Sequence, residues 1–116
     1  MHTYEIPREK WPAELTQFGE SHHHWLASVE VLGAEVGAQP EVRDMPLEGL
    51  TAEPAQKGGT VSIFVERGRS DHLTRMIASP RRITLGEDEN EAAVEIESAD
   101  GTNTVLRLVA PRALDR

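Results

Sequence analysis

The stretch from Ala92 to Val109 constrains the fold most strongly, because apolar and polar residues alternate along it on both sides of an Asp100–Gly101 step. An Asp-Gly pair between two alternating runs is the strongest short-range signal for a β-hairpin. The same period of two recurs back to Trp25, with glycine and proline between the runs. We therefore expect most of the chain to form short antiparallel strands.

The alternating runs are separated by turn residues and predict seven to eight strands. They lie at about 25–32, 38–45, 47–52, 61–65, 72–77, 81–85, 92–98 and 102–109. Pro40 falls inside the second run and cannot donate a ladder hydrogen bond, so we expect an edge strand or a bulge there. Pro46 marks a corner before the short third run.

Helical spacing occurs once, ahead of the strands. The residues that recur at i, i+4, i+7 and i+11 are Trp11, Leu15, Phe18 and His22. Pro12 suits a first helical turn, where its missing N–H costs nothing. This pattern predicts one helix at about 12–21, with Gly19 weakening its last turn.

The order of these elements predicts the fold class. A single helix followed by strands with connections too short for crossover helices requires antiparallel pairing. We expect an α+β fold in which the helix packs on a strongly curled, mainly antiparallel sheet or a small barrel, because curling removes exposed edges. At 116 residues the chain has the size of one domain, 1–116, with a frayed tail at 111–116.

Charge and composition limit the partners. The formal net charge is −8, from 20 acidic and 12 basic residues, and the basic residues are scattered. Such a surface repels phosphate backbones, so we expect no nucleic-acid partner. The absence of cysteine excludes disulfides and cysteine-ligated zinc. Neither a signal-peptide pattern nor an apolar run of membrane-spanning length is present, so we expect a cytoplasmic protein with no membrane partner.

Three consecutive histidines, residues 22–24, suggest a metal site, since neutral imidazoles bind zinc, nickel or copper. His22 and His24 are the candidate ligands, with His72 as a candidate third. Adjacent side chains diverge, so the tract holds at most two ligands by itself. The alternative is that these residues cap the helix end and then enter a surface strand. We expect no functional metal centre and no cofactor.

Other polar clusters are interpreted as turns. Ser70–Asp71–His72 contains the residue types of a hydrolytic triad, but adjacent residues cannot converge as a triad must. Residues 87–91 lack the glycine and ligand spacing of a calcium loop, and Gly58–Gly59 lacks the lysine of a phosphate loop. Trp11 and Trp25 are expected to anchor the core between helix and sheet. We therefore assign no catalytic residue.

Several segments together resemble a small bacterial family of uncharacterised proteins, catalogued as a domain of unknown function. The matching segments are Ile6–Pro12, Trp25–Gly33, Pro46–Leu50 and Ala93–Thr102, so the resemblance covers nearly the whole chain. It implies a stand-alone bacterial protein and carries over no catalytic residue.

These observations favour a non-enzymatic bacterial module that binds a protein partner, or a second copy of itself, through an exposed strand edge or an apolar groove. One alternative is a small ligand-binding barrel or metal-assisted enzyme that uses histidines and carboxylates. Another is an acidic mimic of nucleic acid that occupies a basic protein. A concave pocket with converging polar groups would favour the first alternative.

Overall fold

A computed structural model describes residues 1–33 and 37–111. In these ranges one helix, α1 (Trp11–Ser21), accompanies eight strands. The strands are β1 (His2–Glu5), β2 (Leu26–Gly33), β3 (Gly37–Ala52), β4 (Val61–Glu66), β5 (His72–Ile77), β6 (Pro80–Glu87), β7 (Glu91–Ser98) and β8 (Asn103–Val109). Two short 3₁₀ turns cover Arg8–Lys10 and Ala55–Lys57. Apart from Pro111, the predicted frayed tail lies outside the described residues.

The described strands form one antiparallel sheet in the order β1-β6-β7-β8-β2-β3-β4-β5. Strands β1 and β5 are its two edges and do not pair with each other. The expected helix on an antiparallel sheet is therefore confirmed. The small-barrel alternative is wrong, because no hydrogen-bonded pairing joins the two edge strands.

The hairpin predicted at Asp100–Gly101 is confirmed. Strands β7 and β8 pair with Glu97 opposite Asn103. Gly101 has a φ of +92°, a conformation that side chains with a Cβ rarely adopt. The backbone N–H of Thr102 donates to the Asp100 carboxylate over 2.9 Å, which fixes the turn locally.

Strand β1 precedes the helix and was not expected from the periodicity. All four of its residues are exposed, so they carry no alternation of apolar and polar positions. The strand is held by pairing with β6, in which Tyr4 lies opposite Leu85. These four residues form a strand because they pair with β6, which is distant in sequence.

Strand β3 corrects the expectation of two short strands at 38–45 and 47–52. It is one strand of 16 residues that changes partner along its length. Pairing with β2 extends to Pro46, and pairing with β4 begins at Leu47. Pro40 lies beside a register shift in the β2 pairing, which confirms the bulge expected there.

The helix packs on β3 with the face that its spacing predicts. Trp11, Leu15 and Phe18 are buried. Gly19 touches the backbone of Leu50, so the glycine lets α1 approach β3 closely. One core cluster joins this helical face to the inner sheet residues, which include Ala27, Val29, Leu47, Leu50, Val61, Ile63, Val65, Ile83, Leu85, Val94, Ile96, Leu106 and Leu108.

Candidate functional site

His22 closes the end of α1 and is buried, with 4% of its surface exposed. Its Nδ1 lies 2.7 Å from the Phe18 carbonyl oxygen, which can only accept, so Nδ1 donates. Its Nε2 lies 3.1 Å from Glu87 Oε1, at the end of β6. The ring also contacts the rings of Phe18 and Trp25. These contacts confirm the capping interpretation for this histidine.

The other two candidate ligands have different partners. His24 is exposed, has a φ of +73°, and stacks on His23 with ring centroids 3.8 Å apart. His72 lies on β5, where its Nδ1 is 2.8 Å from Glu48 Oε1. Among residues 1–33 and 37–111, no group of three or more His, Asp or Glu side chains is placed to hold a metal ion. The structure therefore does not bring His22, His24 and His72 together.

A polar cleft lies between α1 and the β1–β6 edge of the sheet, and we name it the Tyr4 cleft. It has a volume of about 180 Å³. Its lining residues are Tyr4, Glu14, Gln17, Phe18, Ser21, His22 and Glu87. Tyr4 and Glu87 project from the same side of the sheet, since their partners Leu85 and His2 keep the period of two.

The carboxylates of this cleft act on the phenol of Tyr4. Partial burial raises the pKa of Tyr4 above its usual value, and the negative charges of Glu14 and Glu87 raise it further. Both carboxylates are therefore close enough to oppose a phenolate charge. The cleft places two carboxylates beside Tyr4, a residue that is 46% exposed.

A second depression, the helix groove, separates α1 from the second half of β3 and has a volume of about 400 Å³. It is lined by Thr16, Glu20, His23, Glu48, Gly49, Leu50 and Thr51. Glu48 of this groove also pairs with His72 of β5.

The edge strand β5 presents two faces with different environments. Leu73, Arg75 and Ile77 lie opposite the buried residues of β4. Arg75 forms an ion pair with Glu41 of β3 from this inner face. Met76 lies on the outer face and is 61% exposed.

Ser70–Asp71 and residues 88–90 lie in connections between strands, as expected. Asp71 accepts from Arg67 and from the His72 backbone N–H, and Ser70 lies in the turn before β5. Asp88 accepts from the backbone N–H groups of Asn90 and Glu91 in the β6–β7 connection. These aspartates therefore stabilise the turns in which they lie.

Tyr4 and Glu14 were not recognisable from the sequence as members of one site. Glu14 was visible as an acidic residue in the first helical turn, and Tyr4 as the single tyrosine. Their proximity depends on β1 pairing with β6, which no local pattern indicates. The one sequence signal for this site was Tyr4 itself, an aromatic residue in the otherwise polar segment 2–5.

No helix among the described residues has the length and apolar character needed to cross a membrane. An uncharacterised protein of Aquifex aeolicus (strain VF5) is 28% identical over 109 residues, which cover 93% of both chains. No solved structure matches this chain. The resemblance to a family of uncharacterised proteins is confirmed. That the Ile6–Pro12 segment is typical of this family stays a prediction. A family model matches residues 2–116, and the chain belongs to the Family of unknown function (DUF5335).

Proposed function

We propose that this protein is a non-enzymatic protein-binding module that pairs an extended segment of a partner with the outer edge of β5. The observation that carries the proposal is the open sheet, in which β5 pairs with β4 alone among the described residues. An edge strand presents a row of backbone N–H and C=O groups that an added strand can satisfy.

The other edge strand, β1, and the parts of β3 that lack a partner on one side carry features that oppose strand addition. β1 has four residues and is followed by Pro7, so it offers a short edge. The first half of β3 contains Pro40 and register shifts, and its second half lies under α1. Short strands, prolines, bulges and covering helices are the usual means of blocking an edge. β5 has six residues and no proline.

Side chains on β5 are compatible with an added strand. Arg75 extends inward to Glu41; an inward-pointing charge is one of the usual edge protections, but here the Glu41 carboxylate pairs it. Thr74 and Met76 lie on the outer face, where Thr74 pairs with Phe64 of β4. Met76 offers an adaptable apolar contact for a partner side chain. The net charge of −8 disfavours self-association, so we commit to a different protein as the partner.

The test combines capture with amide hydrogen exchange. A binding protein is captured from the native host, purified, and mixed with the wild-type chain. We expect slower exchange at the amides of β5 in the complex, because the added strand supplies hydrogen-bond acceptors. The Thr74→Lys/Met76→Lys variant places two charges on this edge and should lose binding.

The matched control is Leu32→Lys/Val109→Lys, which adds the same charge at two exposed apolar residues away from β5. It should bind like the wild type. Equal loss in both variants, or protection that maps outside β5, overturns the proposal. A dimer of this chain formed through β5 also overturns it, since the partner would then be a second copy.

A second candidate function is that of an acidic mimic which binds a basic protein. The outer side of the larger part of the sheet carries one continuous cross-strand row, Glu5–Thr84–Glu95–Val105–Glu30. Strands lie about 4.8 Å apart, so its carboxylates recur about every 10 Å. Binding by this face would weaken steeply with salt, whereas strand addition at β5 would not.

A further inference from the structure

We propose that the Tyr4 cleft binds a small organic cation, an alkylguanidinium or alkylammonium group, between the carboxylates of Glu14 and Glu87 and against the ring of Tyr4. This site lies beside β1, at the opposite end of the strand order from β5. The inference therefore does not depend on the proposed function, and each can fail without the other.

Three separate elements bring the cleft residues together. Tyr4 comes from the edge strand β1, Glu14 from the first turn of α1, and Glu87 from the end of β6. Their convergence borders an open cleft of about 180 Å³. A water molecule occupies about 30 Å³ in the liquid, so this volume accommodates a cation of a few heavy atoms.

The charges of the cleft match an organic cation. Within residues 1–33 and 37–111, no ion pair engages Glu14. Glu87 contacts His22 Nε2, yet its side chain stays 56% exposed and available from the cleft. The pKa of Tyr4 is raised first by burial and then by the charges of Glu14 and Glu87, which agrees with both carboxylates facing the phenol.

The aromatic wall distinguishes an organic cation from a metal ion. Phe18 and His22 line the cleft with ring centroids 4.2 Å apart, and Tyr4 adds an exposed ring. Cations over aromatic faces gain electrostatic attraction, which is strongest where water is partly excluded. Calcium and magnesium instead prefer six or more oxygen ligands, and the described residues contain no group of three or more His, Asp or Glu side chains placed to hold a metal ion.

Tyr4 makes the test direct, because it is the single tyrosine of the chain. Phenolate absorbance is followed against pH in methylguanidinium chloride and in sodium chloride at equal ionic strength. A bound guanidinium keeps its charge at high pH and stabilises the phenolate. We expect methylguanidinium to lower the pKa of Tyr4 in a saturable manner and further than sodium does at the same ionic strength, because sodium only screens the carboxylates.

Affinity is measured at pH 7 by NMR titration with methylguanidinium. Glu14→Gln should weaken binding about tenfold, since it removes one charged partner. The matched control is Glu20→Gln, on the same helix but lining the helix groove, and it should bind like the wild type. Equal loss in the two variants, or equal effects of the two salts on the Tyr4 titration, overturns the proposal.

A second comparison identifies the source of the cation. An acetylated, amidated tripeptide with a central arginine is titrated beside methylguanidinium. If the peptide binds more tightly than methylguanidinium, the natural ligand is an arginine of a partner protein. If methylguanidinium binds and the peptide does not, the natural ligand is a free small cation. Absence of saturable binding by both probes overturns the site.

Discussion

Gly19 of α1 lies so close to Leu50 of β3 that a β-carbon on Gly19 would be 2.8 Å from the Leu50 backbone nitrogen. Pairing of β3 with β2 ends at Pro46, just before this contact. The helix therefore covers β3 where its neighbouring strand stops. Glycine at this position sets the distance between the two elements.

Gly19→Ala should destabilise the protein, although alanine favours an isolated helix by about 1 kcal/mol. The added methyl group meets rigid backbone, so we expect a net loss of about 1–3 kcal/mol, typical of overpacking. Urea unfolding measures the change. Glu20→Ala, at the exposed neighbouring position, is the control and should be nearly neutral. A more stable Gly19→Ala variant would contradict this packing.

Trp11→Ala should cost about 3–5 kcal/mol, the usual range for a large buried aromatic residue. Trp11 is fully buried, and its Nε1 donates to the Ile6 carbonyl oxygen over 3.2 Å. A β-carbon on Gly59 would lie 2.7 Å from its ring. Gly59→Ala should therefore also destabilise, and a double-mutant cycle with Trp11→Phe should show coupling. Additive effects would argue against that contact.

Gly101→Val should destabilise the fold by about 1–3 kcal/mol through backbone strain. No atom beyond the chain neighbours lies within 4 Å of a β-carbon built at Gly101, so the expected cost comes from the positive φ. Gly101→Asn should cost less, because asparagine tolerates positive φ better than valine. Thermal unfolding separates the two variants. An unchanged midpoint for the valine variant would count against the turn conformation.

The phenol of Tyr4 should titrate above its usual pKa, because burial and the charges of Glu14 and Glu87 oppose the phenolate. Its pKa is thus higher in the folded protein than in the unfolded chain. The resulting contribution to stability is present below pH 10 and is lost as pH rises through the folded pKa. Absorbance titration measures the shift. Glu14→Gln should lower the pKa toward that of the unfolded chain, and an unaltered titration would refute the contact.

Chelation should leave the fold intact, because His22, His24 and His72 have separate partners. Metal analysis of untagged protein, followed by dialysis against chelator and thermal unfolding, checks this. His22→Ala is a poor test variant, since it removes a buried helix cap whether or not metal binds. His24→Ala and His72→Ala are better test variants. If the wild type bound metal stoichiometrically and each of these variants did not, a metal centre would be established.

The hairpin and the helix were predictable because local residues determine them. The Asp100–Gly101 turn and the flanking alternation specify the β7–β8 pair at short range. The apolar spacing from Trp11 to Phe18 defines the buried face of α1. In both cases the residues that interact lie near one another in sequence, so their local pattern predicts the structure.

The Tyr4 cleft was not predictable, because its members are brought together by distant pairing. Tyr4 and Glu87 are neighbours only once β1 adds to β6. The role of Gly19 was not predictable either. Its helix propensity indicates a weak last turn, whereas packing against Leu50 requires the absence of a side chain.

By itself, the sequence determined the strand-rich class, the helix face and the main hairpin, since hydrophobic period and turn chemistry act over a few residues. The tertiary structure alone decided that β3 is one strand with two partners, that the sheet stays open, and that β5 is left as an edge. Those outcomes depend on which strands meet across long separations. Backbone hydrogen bonds are chemically alike along every strand, so no local pattern encodes that choice.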